Sequence, residues 1–170
     1  MGKINYIILI LILLCLFLSV LFLINFNSNS CEGNSDDEIY LKETVNEFEM
    51  QIYSQKCEYK SDEVLNIVAS LKYVGSNDSI TIHHADKLIR FNVYKSNGDV
   101  VFEPLLLLSI ESTTLKKDIP ISMNIYGNEE VENIENISLP SGAYKISAIS
   151  EFSQSDEQYE IPINFNIYID

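Results

Sequence analysis

The stretch Tyr159–Ile169, YEIPINFNIYI, decides the fold of this chain. Every second residue in it is aliphatic or aromatic, and the residues between them are mostly polar. A period of two places all the apolar side chains on one face of an extended strand. The pattern therefore predicts a long β-strand with one buried face, formed by Tyr159, Ile161, Ile163, Phe165, Ile167 and Ile169.

The same alternation recurs upstream, at Phe48–Ile52, Leu65–Tyr73, Ile119–Ile125 and Tyr144–Phe152. Asn97-Gly98 stands between two further strand patterns, and this dipeptide is a strong signal for a tight hairpin turn. About seven or eight short strands, with no long helical period among them, predict an all-β fold, an Ig-like antiparallel β-sandwich. The continuous apolar run Leu105–Ile110 is predicted to be buried within it.

A different pattern occupies the beginning of the chain, where Ile4–Ile24 is almost entirely apolar. A helix of this length spans roughly 30 Å, which matches the hydrocarbon core of a bilayer. The run therefore predicts a single N-terminal transmembrane helix that acts as an anchor or uncleaved signal. Two alternatives stay open, because Ser28-Asn29-Ser30 resembles a cleavage site of a signal peptide and Cys31 is positioned for lipidation.

Charge around this run sets the predicted orientation. Lys3 precedes it, whereas acidic residues and no lysine or arginine follow it until Lys42. The positive-inside rule then predicts a single-pass cell-membrane protein whose C-terminal domain lies outside the cytoplasm. The predicted organisation is a cytoplasmic stub (1–3), the transmembrane anchor (4–24), a polar acidic tether (25–46) and the β-sandwich (47–170).

Composition limits the partners that this domain can have. The chain has 170 residues, 25 acidic against 11 basic, and a net charge of −14. Such a charge repels nucleic acid and anionic headgroups, so no nucleic-acid partner is predicted. The expected partners are the lipid bilayer, through the anchor, and a protein or cell-envelope component. The absence of Trp and the single Arg fit a bacterial, AT-rich genome.

Cysteine and histidine positions predict little chemistry. Cys31 and Cys57 would share the oxidising side of the membrane, where either a disulfide or two free thiols are possible. His83 and His84 are neighbours on a strand and point to opposite faces, which disfavours a shared metal ion. Neither a nucleophile elbow nor a phosphate-binding loop occurs, so no catalysis, metal or cofactor is expected.

The predicted recognition surface consists of residues opposite the apolar strand faces and of the hairpin turn. Tyrosine is common at protein interfaces because it combines a large ring with a polar hydroxyl. The candidates on these grounds are Tyr53, Tyr94, Asn97, Gly98 and Tyr126.

Several strand-and-turn motifs between Glu47 and Phe152 resemble a known family. The segment 59–64, YKSDEV, is similar to the opening of many bacterial Ig-like domains. The segments 91–94 (FNVY), 97–102 (NGDVVF) and 139–146 (LPSGAYKI) resemble the intracellular proteinase inhibitor domain family, an Ig-like sandwich. The resemblance implies this fold and protease inhibition. Because the anchor predicts an address outside the cytoplasm, the leading hypothesis is a membrane-anchored binding module, and a membrane-tethered proteinase inhibitor is the alternative.

Overall fold

Alternating apolar side chains build an all-β fold. The computed structural model describes residues 38–105, 107, 109–127, 137 and 139–170, and this part of the chain contains strands and no helix. Its eleven strands are β1 (Ile39–Val45), β2 (Phe48–Ser54), β3 (Glu58–Tyr59), β4 (Ile67–Tyr73), β5 (Ser79–His84), β6 (Arg90–Lys95), β7 (Val100–Phe102), β8 (Glu111–Lys116), β9 (Ile121–Asn124), β10 (Gly142–Gln154) and β11 (Glu157–Ile169).

The strands form two sheets. The first has the order β1-β2-β4-β9, and all its pairs are antiparallel. The second is built on the hairpin of the two longest strands, β10 and β11, with β3 parallel to the far edge of β11. The other edge of β10 pairs with β6 and, further along, with β5.

A single apolar core joins the two sheets, which makes the fold sandwich-like. Its centre is aromatic: the Phe48 ring lies 4.7 Å from Phe152 and 5.0 Å from Tyr159 in edge-on contacts. Phe48 belongs to the first sheet, whereas the other two rings belong to the second. Burial of such rings is a main source of stability, because each removes a large apolar surface from water.

The second sheet contains a long hairpin that is interrupted halfway. β5 and β6 follow each other along the same edge of β10, and β7 and β8 return beside β6 and β5. His84 pairs with Phe152 and Arg90 pairs with Ile149, so residues 85–89 leave the sheet opposite two residues of β10. The returning chain leaves it as well, between Phe102 and Glu111. We call this place the hairpin gap.

Three sequence predictions need correction. Eleven strands are described rather than seven or eight, because the predicted strands were counted from strong alternation alone. The predicted tether 25–46 contains β1, which pairs with β2 over its whole length, so the sheet begins at Ile39 and not at Glu47. The burial predicted for the run Leu105–Ile110 is wrong for its described apolar residues, since Leu105, Leu107 and Ile110 are 89%, 65% and 84% exposed.

The predicted membrane anchor, 4–24, lies outside the described residues. Within the residues that the structure describes, no helix has the length and apolar character needed to cross a membrane. The anchor, its orientation and the alternatives of cleavage or lipidation therefore stay predictions.

Candidate functional site

The hairpin gap forms a groove of about 500 Å³ on the second sheet. Leu107 and Ile110 stand on one side of it, and Ile149 and Phe152 of β10 contribute to the other. The backbone N–H of Leu107 donates to Asp86 Oδ1 at 3.3 Å, which links the two segments that leave the sheet. Irregularities of this kind are frequent next to binding and active sites, because they re-aim side chains and end strand pairing.

This groove carries a small excess of positive charge, although the chain as a whole is strongly acidic: two cationic side chains line it, against the single carboxylate of Glu151. The groove is lined by Lys87 and by Arg90, the single arginine of the chain. Arg90 Nη1 donates to Glu151 Oε2 at 2.8 Å, whereas its buried Nε has no hydrogen-bond partner within the described residues. A guanidinium group carries five N–H donors, so the Nη donors of Arg90 that Glu151 does not occupy can bind an incoming carboxylate oxygen.

Both histidines line the groove as well, and each is bound to β8. His83 Nδ1 lies 2.8 Å from Ser112 Oγ, and His84 Nε2 lies 2.8 Å from Thr113 Oγ1. His84 Nδ1 donates to the carbonyl oxygen of Ala85, since a carbonyl only accepts. In the part of the chain that is described, no group of three or more His, Cys, Asp or Glu side chains is placed to hold a metal ion.

The predicted recognition residues Tyr94 and Gly98 line a second groove, of about 460 Å³, beside the hairpin turn. Gly98 has φ +90°, which favours glycine there, and its N–H donates to the Lys95 carbonyl. Asn97 is exposed at the tip, where its amide donates to Asp99 Oδ2 at 2.9 Å. The Lys145 ammonium lies 5.9 Å from the centre of the Tyr94 ring, a cation–π distance.

The other two predicted tyrosines are not brought to this place, because Tyr53 lies on β2 of the first sheet and Tyr126 lies in the turn that follows β9. Tyr53 is half-buried on β2, where it pairs with Tyr40 and donates its hydroxyl to Glu38 Oε1 at 3.0 Å. Tyr126 packs against the core, and its hydroxyl accepts the Leu65 N–H at 2.8 Å. Tyr94, Asn97 and Gly98 therefore lie together on the β6–β7 hairpin, whereas Tyr53 and Tyr126 belong to other parts of the fold.

Cys57 is buried, 5% exposed, and it is disulfide-bonded. It lies just before β3, where Tyr59 is buried and lies 2.7 Å from Ser54 Oγ of β2. Cys15 and Cys31 are the other cysteines of the chain, and both lie outside the described residues. The pairing of Cys31 with Cys57 therefore stays a prediction.

The most strongly perturbed carboxyl group belongs to Glu49, which is 8% exposed. Hydrogen bonds from Lys42 (2.8 Å) and Lys72 (2.5 Å) lower its pKa to about 2. A perturbed pKa can mark a catalytic group. Here two lysines on the neighbouring strands hold the one carboxylate, and Glu49 lines neither of the grooves described above. We therefore assign the group to stability.

This assignment predicts a pH-dependent contribution to folding. The pKa of Glu49 is lower in the folded state than the ordinary 4.5, so its stabilisation is present above about pH 4.5 and is lost as the pH falls towards 2. Glu49→Gln should lower the free energy of unfolding by about 1–2 kcal/mol at pH 7, after allowance for solvent screening. Urea unfolding of both proteins should give the same value near pH 2; a constant difference would contradict the assignment.

Sequence patterns missed the groove at the hairpin gap. The side chains that matter most come from three separate segments, and none of these segments carries a motif of its own: Lys87, Arg90, Leu107, Ile110, Ile149 and Glu151. Two signals were available. The first is that Leu105–Ile110 is apolar throughout most of its length and lacks the alternation that a half-buried strand would show. The second is that the single arginine, Arg90, follows within a few residues of the histidine pair.

Comparison with known proteins adds no relative from which a function could be transferred. No protein-family model matches the chain, and no curated protein matches it either. The function of the chain is therefore inferred from the chemistry of its grooves and exposed surfaces.

Proposed function

We propose that this chain is a membrane-anchored, extracytoplasmic, Ig-like binding module without catalytic activity, and that the groove at the hairpin gap is its recognition site. The observation that carries the proposal is the exposure of Leu107 and Ile110 at the rim of this groove. Clustered exposed aliphatic side chains beside a concave surface are typical of interaction sites, because water contact with them is unfavourable.

The position of the groove supports this proposal. The described chain enters the first sheet at β1, where Ile39 pairs with Ser54. Ser54 contacts Tyr59, which pairs with Ile169, and Ile169 pairs with Gly142 at the start of β10. The part of β10 that lines the groove begins at Ile149, which is about 23 Å from Gly142 along the strand. The described chain therefore begins near the end of β10 that lies away from the groove.

The chemistry of the groove favours one class of partner. Leu107, Ile110 and Ile149 offer aliphatic contacts, and Arg90 and Lys87 offer positive charge beside them. The complementary ligand is a protein segment with an aliphatic side chain next to a carboxylate, either acidic or C-terminal. A protein or envelope component that carries such a segment is the proposed partner, whereas the acidic surface disfavours nucleic acid.

A site-specific photocrosslink in the full-length chain tests the proposal in cells. A benzophenone amino acid at Leu107 should capture one partner, and the same amino acid at Val64 should not, although Val64 is also exposed, at 51%. Ile110→Asp or Arg90→Gln should each reduce the Leu107 product at least about tenfold, the usual effect at a central contact. Lys145→Gln, which removes a charge elsewhere, is the matched control.

Identical products at both positions, or products that Ile110→Asp leaves unchanged, would contradict the proposed site. Because Ile110 is exposed, its substitution should change stability by no more than about 0.5 kcal/mol. Thermal unfolding of each variant therefore separates lost binding from lost folding.

Proteinase inhibition is the second candidate, and one observation favours it. Leu105, Leu107 and Ile110 are exposed in the segment between β7 and β8, as the residues of a segment that enters a protease cleft would have to be. In that case the purified full-length chain in detergent inhibits an extracellular protease at a one-to-one ratio, and Leu107→Asp removes the inhibition. A photocrosslinked partner that is not a protease would favour the binding module instead.

A further inference from the structure

The groove beside the Asn97-Gly98 turn, which we call the turn groove, lies on the outer face of the second sheet. Residues directly opposite each other on paired strands share a face. The strand register therefore sets two rows of side chains there, each drawn from β6, β10 and β11: Tyr94, Lys145 and Asn166, then Asn92, Ser147 and Asn164. Ile146, which lies between the two rows on β10, points to the opposite face and is fully buried.

Hydrogen-bonding side chains dominate the turn groove. Ala143 is the only aliphatic residue among its described lining residues, and most of the others are serine, tyrosine, lysine or asparagine. The groove at the hairpin gap differs, because Leu107 and Ile110 stand at its rim. The centre of a protein–protein interface is usually apolar. A groove with almost no aliphatic surface therefore suits a ligand rich in hydroxyl groups better than it suits a protein.

The turn groove is also locally positive, although the chain carries a net charge of −14. Lys95 and Lys145 line it, and none of its described lining residues is acidic. Asp99 belongs to the same turn, but its carboxylate accepts from the Asn97 amide at 2.9 Å. Within the described residues neither lysine forms an ion pair, so both ammonium groups can bind an anionic ligand.

The aromatic side chains of this face are already positioned. The amide of Asn92, which is 3% exposed, donates to the Tyr94 hydroxyl at 3.0 Å, and the Lys145 ammonium lies 5.9 Å from the centre of the Tyr94 ring. A side chain that is ordered before binding loses little conformational entropy in the complex. Tyr168 lies opposite Ala143 on the same face and is 46% exposed, so aromatic surface continues beside the groove.

We propose that the turn groove and the adjoining outer face of β11 bind a polysaccharide that carries carboxylate groups. Lys145 binds a carboxylate, the pair Ser147 and Asn164 binds sugar hydroxyls, and the Tyr168 ring packs against sugar C–H groups, which are attracted to its negative face. Such a polymer has a lower charge density than nucleic acid, so the net charge of −14 opposes its binding less. This site is separate from the groove at the hairpin gap and does not depend on its ligand.

Three polymers, presented to the full-length chain in a non-ionic detergent, separate recognition of sugar from recognition of charge. Polygalacturonate offers both, dextran offers the sugar without the charge, and polyglutamate offers the carboxylates without the sugar. In biolayer interferometry the wild type should bind polygalacturonate at least about fivefold more tightly than it binds either of the others, since each of them lacks one class of contact.

Substitutions on this face and elsewhere give the matched comparison. Lys145→Gln and Tyr168→Ala should each weaken the binding of polygalacturonate about fivefold, which corresponds to one hydrogen bond or one ring contact. Lys60→Gln and Tyr40→Ala remove an exposed lysine and an exposed tyrosine at other places and should have no effect. Lys145→Arg keeps the charge and should retain most of the binding. Circular dichroism verifies that each variant is folded.

A tryptophan can report the place of binding, because the chain contains none. The emission of Tyr168→Trp should shift when polygalacturonate is added, whereas the emission of Tyr40→Trp should not. A wild type that does not bind polygalacturonate, or that binds dextran or polyglutamate equally well, would overturn the proposal. So would folded Lys145→Gln and Tyr168→Ala variants that bind like the Lys60→Gln and Tyr40→Ala controls.

Discussion

Phe48→Ala should lower the free energy of unfolding by about 3–5 kcal/mol, the usual range for removing a buried aromatic ring. Phe48 is fully buried and contacts Phe152, Tyr159 and Tyr73. These contacts join the two sheets, so little of the cavity can close by local movement. Denaturant unfolding of the full chain in detergent should show the loss, and the melting temperature should fall by about 10 °C or more.

Two control variants make this result specific. Phe48→Leu keeps most of the apolar volume and should lose no more than about 1.5 kcal/mol. Tyr40→Ala removes an aromatic ring that is 60% exposed, and should change the stability by no more than about 0.5 kcal/mol. If Phe48→Ala were as mild as Tyr40→Ala, the two sheets would not share the core described above.

Gly75→Ala is the second large effect, because the position has no room for a side chain. A Cβ there would overlap the hydroxyl and Cζ of Tyr73 and the carboxyl carbon of Glu47. Glu47 can swing away, but the Tyr73 ring is fully buried and its hydroxyl accepts the Asn77 N–H at 3.3 Å. Such overpacking should lower the free energy of unfolding by about 1–3 kcal/mol, measured by denaturant unfolding.

A second substitution distinguishes this overlap from a backbone effect. In a Tyr73→Leu background the obstructing atoms are gone, so Gly75→Ala should cause a smaller loss than in the wild type. Gly98→Ala is the matched control, since no atom lies within 4 Å of its Cβ and only its φ of +90° opposes the change, by about 1 kcal/mol. Equal losses from Gly75→Ala in both backgrounds would contradict the steric explanation.

The sequence predicts best the strands that have one buried face and one solvent-exposed face. Phe48–Ser54, Ile67–Tyr73 and Glu157–Ile169 alternate clearly, and each is a strand. The Asn97-Gly98 turn also joins two paired strands, β6 and β7. In each case a local rule, the period of two or the positive φ of the turn, is sufficient.

The errors arise where tertiary contacts decide the outcome. Leu105–Ile110 is apolar, yet an apolar run is buried only if another element covers it, and the described residues Leu105, Leu107 and Ile110 are exposed. β1 lacks clear alternation and becomes a strand through its pairing with β2. Sequence also gives no sign that β5 and β6 lie in line along one edge of β10, which is what creates the groove.

The groove at the hairpin gap was not predicted from the sequence, for the same reason. Tyr94 and Gly98 are close in sequence and line one groove, as local reasoning can anticipate. Arg90 and Glu151 are far apart in sequence and meet because β6 pairs with β10. A groove assembled from distant segments needs the strand register before its residues can be named together.

The hairpin gap has a consequence for how this scaffold can vary. Pairing of β6 with β7 on one side and of β5 with β8 on the other fixes the alignment of the sheet independently of the two segments between them. Insertions and grafted loops at 85–87 and 103–110 therefore need not disturb either alignment, whereas Leu88 and Ile89 are buried in the core and have to be kept. Evolution or protein engineering can therefore vary the sequence and length of these two loops while the strand pairing of the sheet is kept.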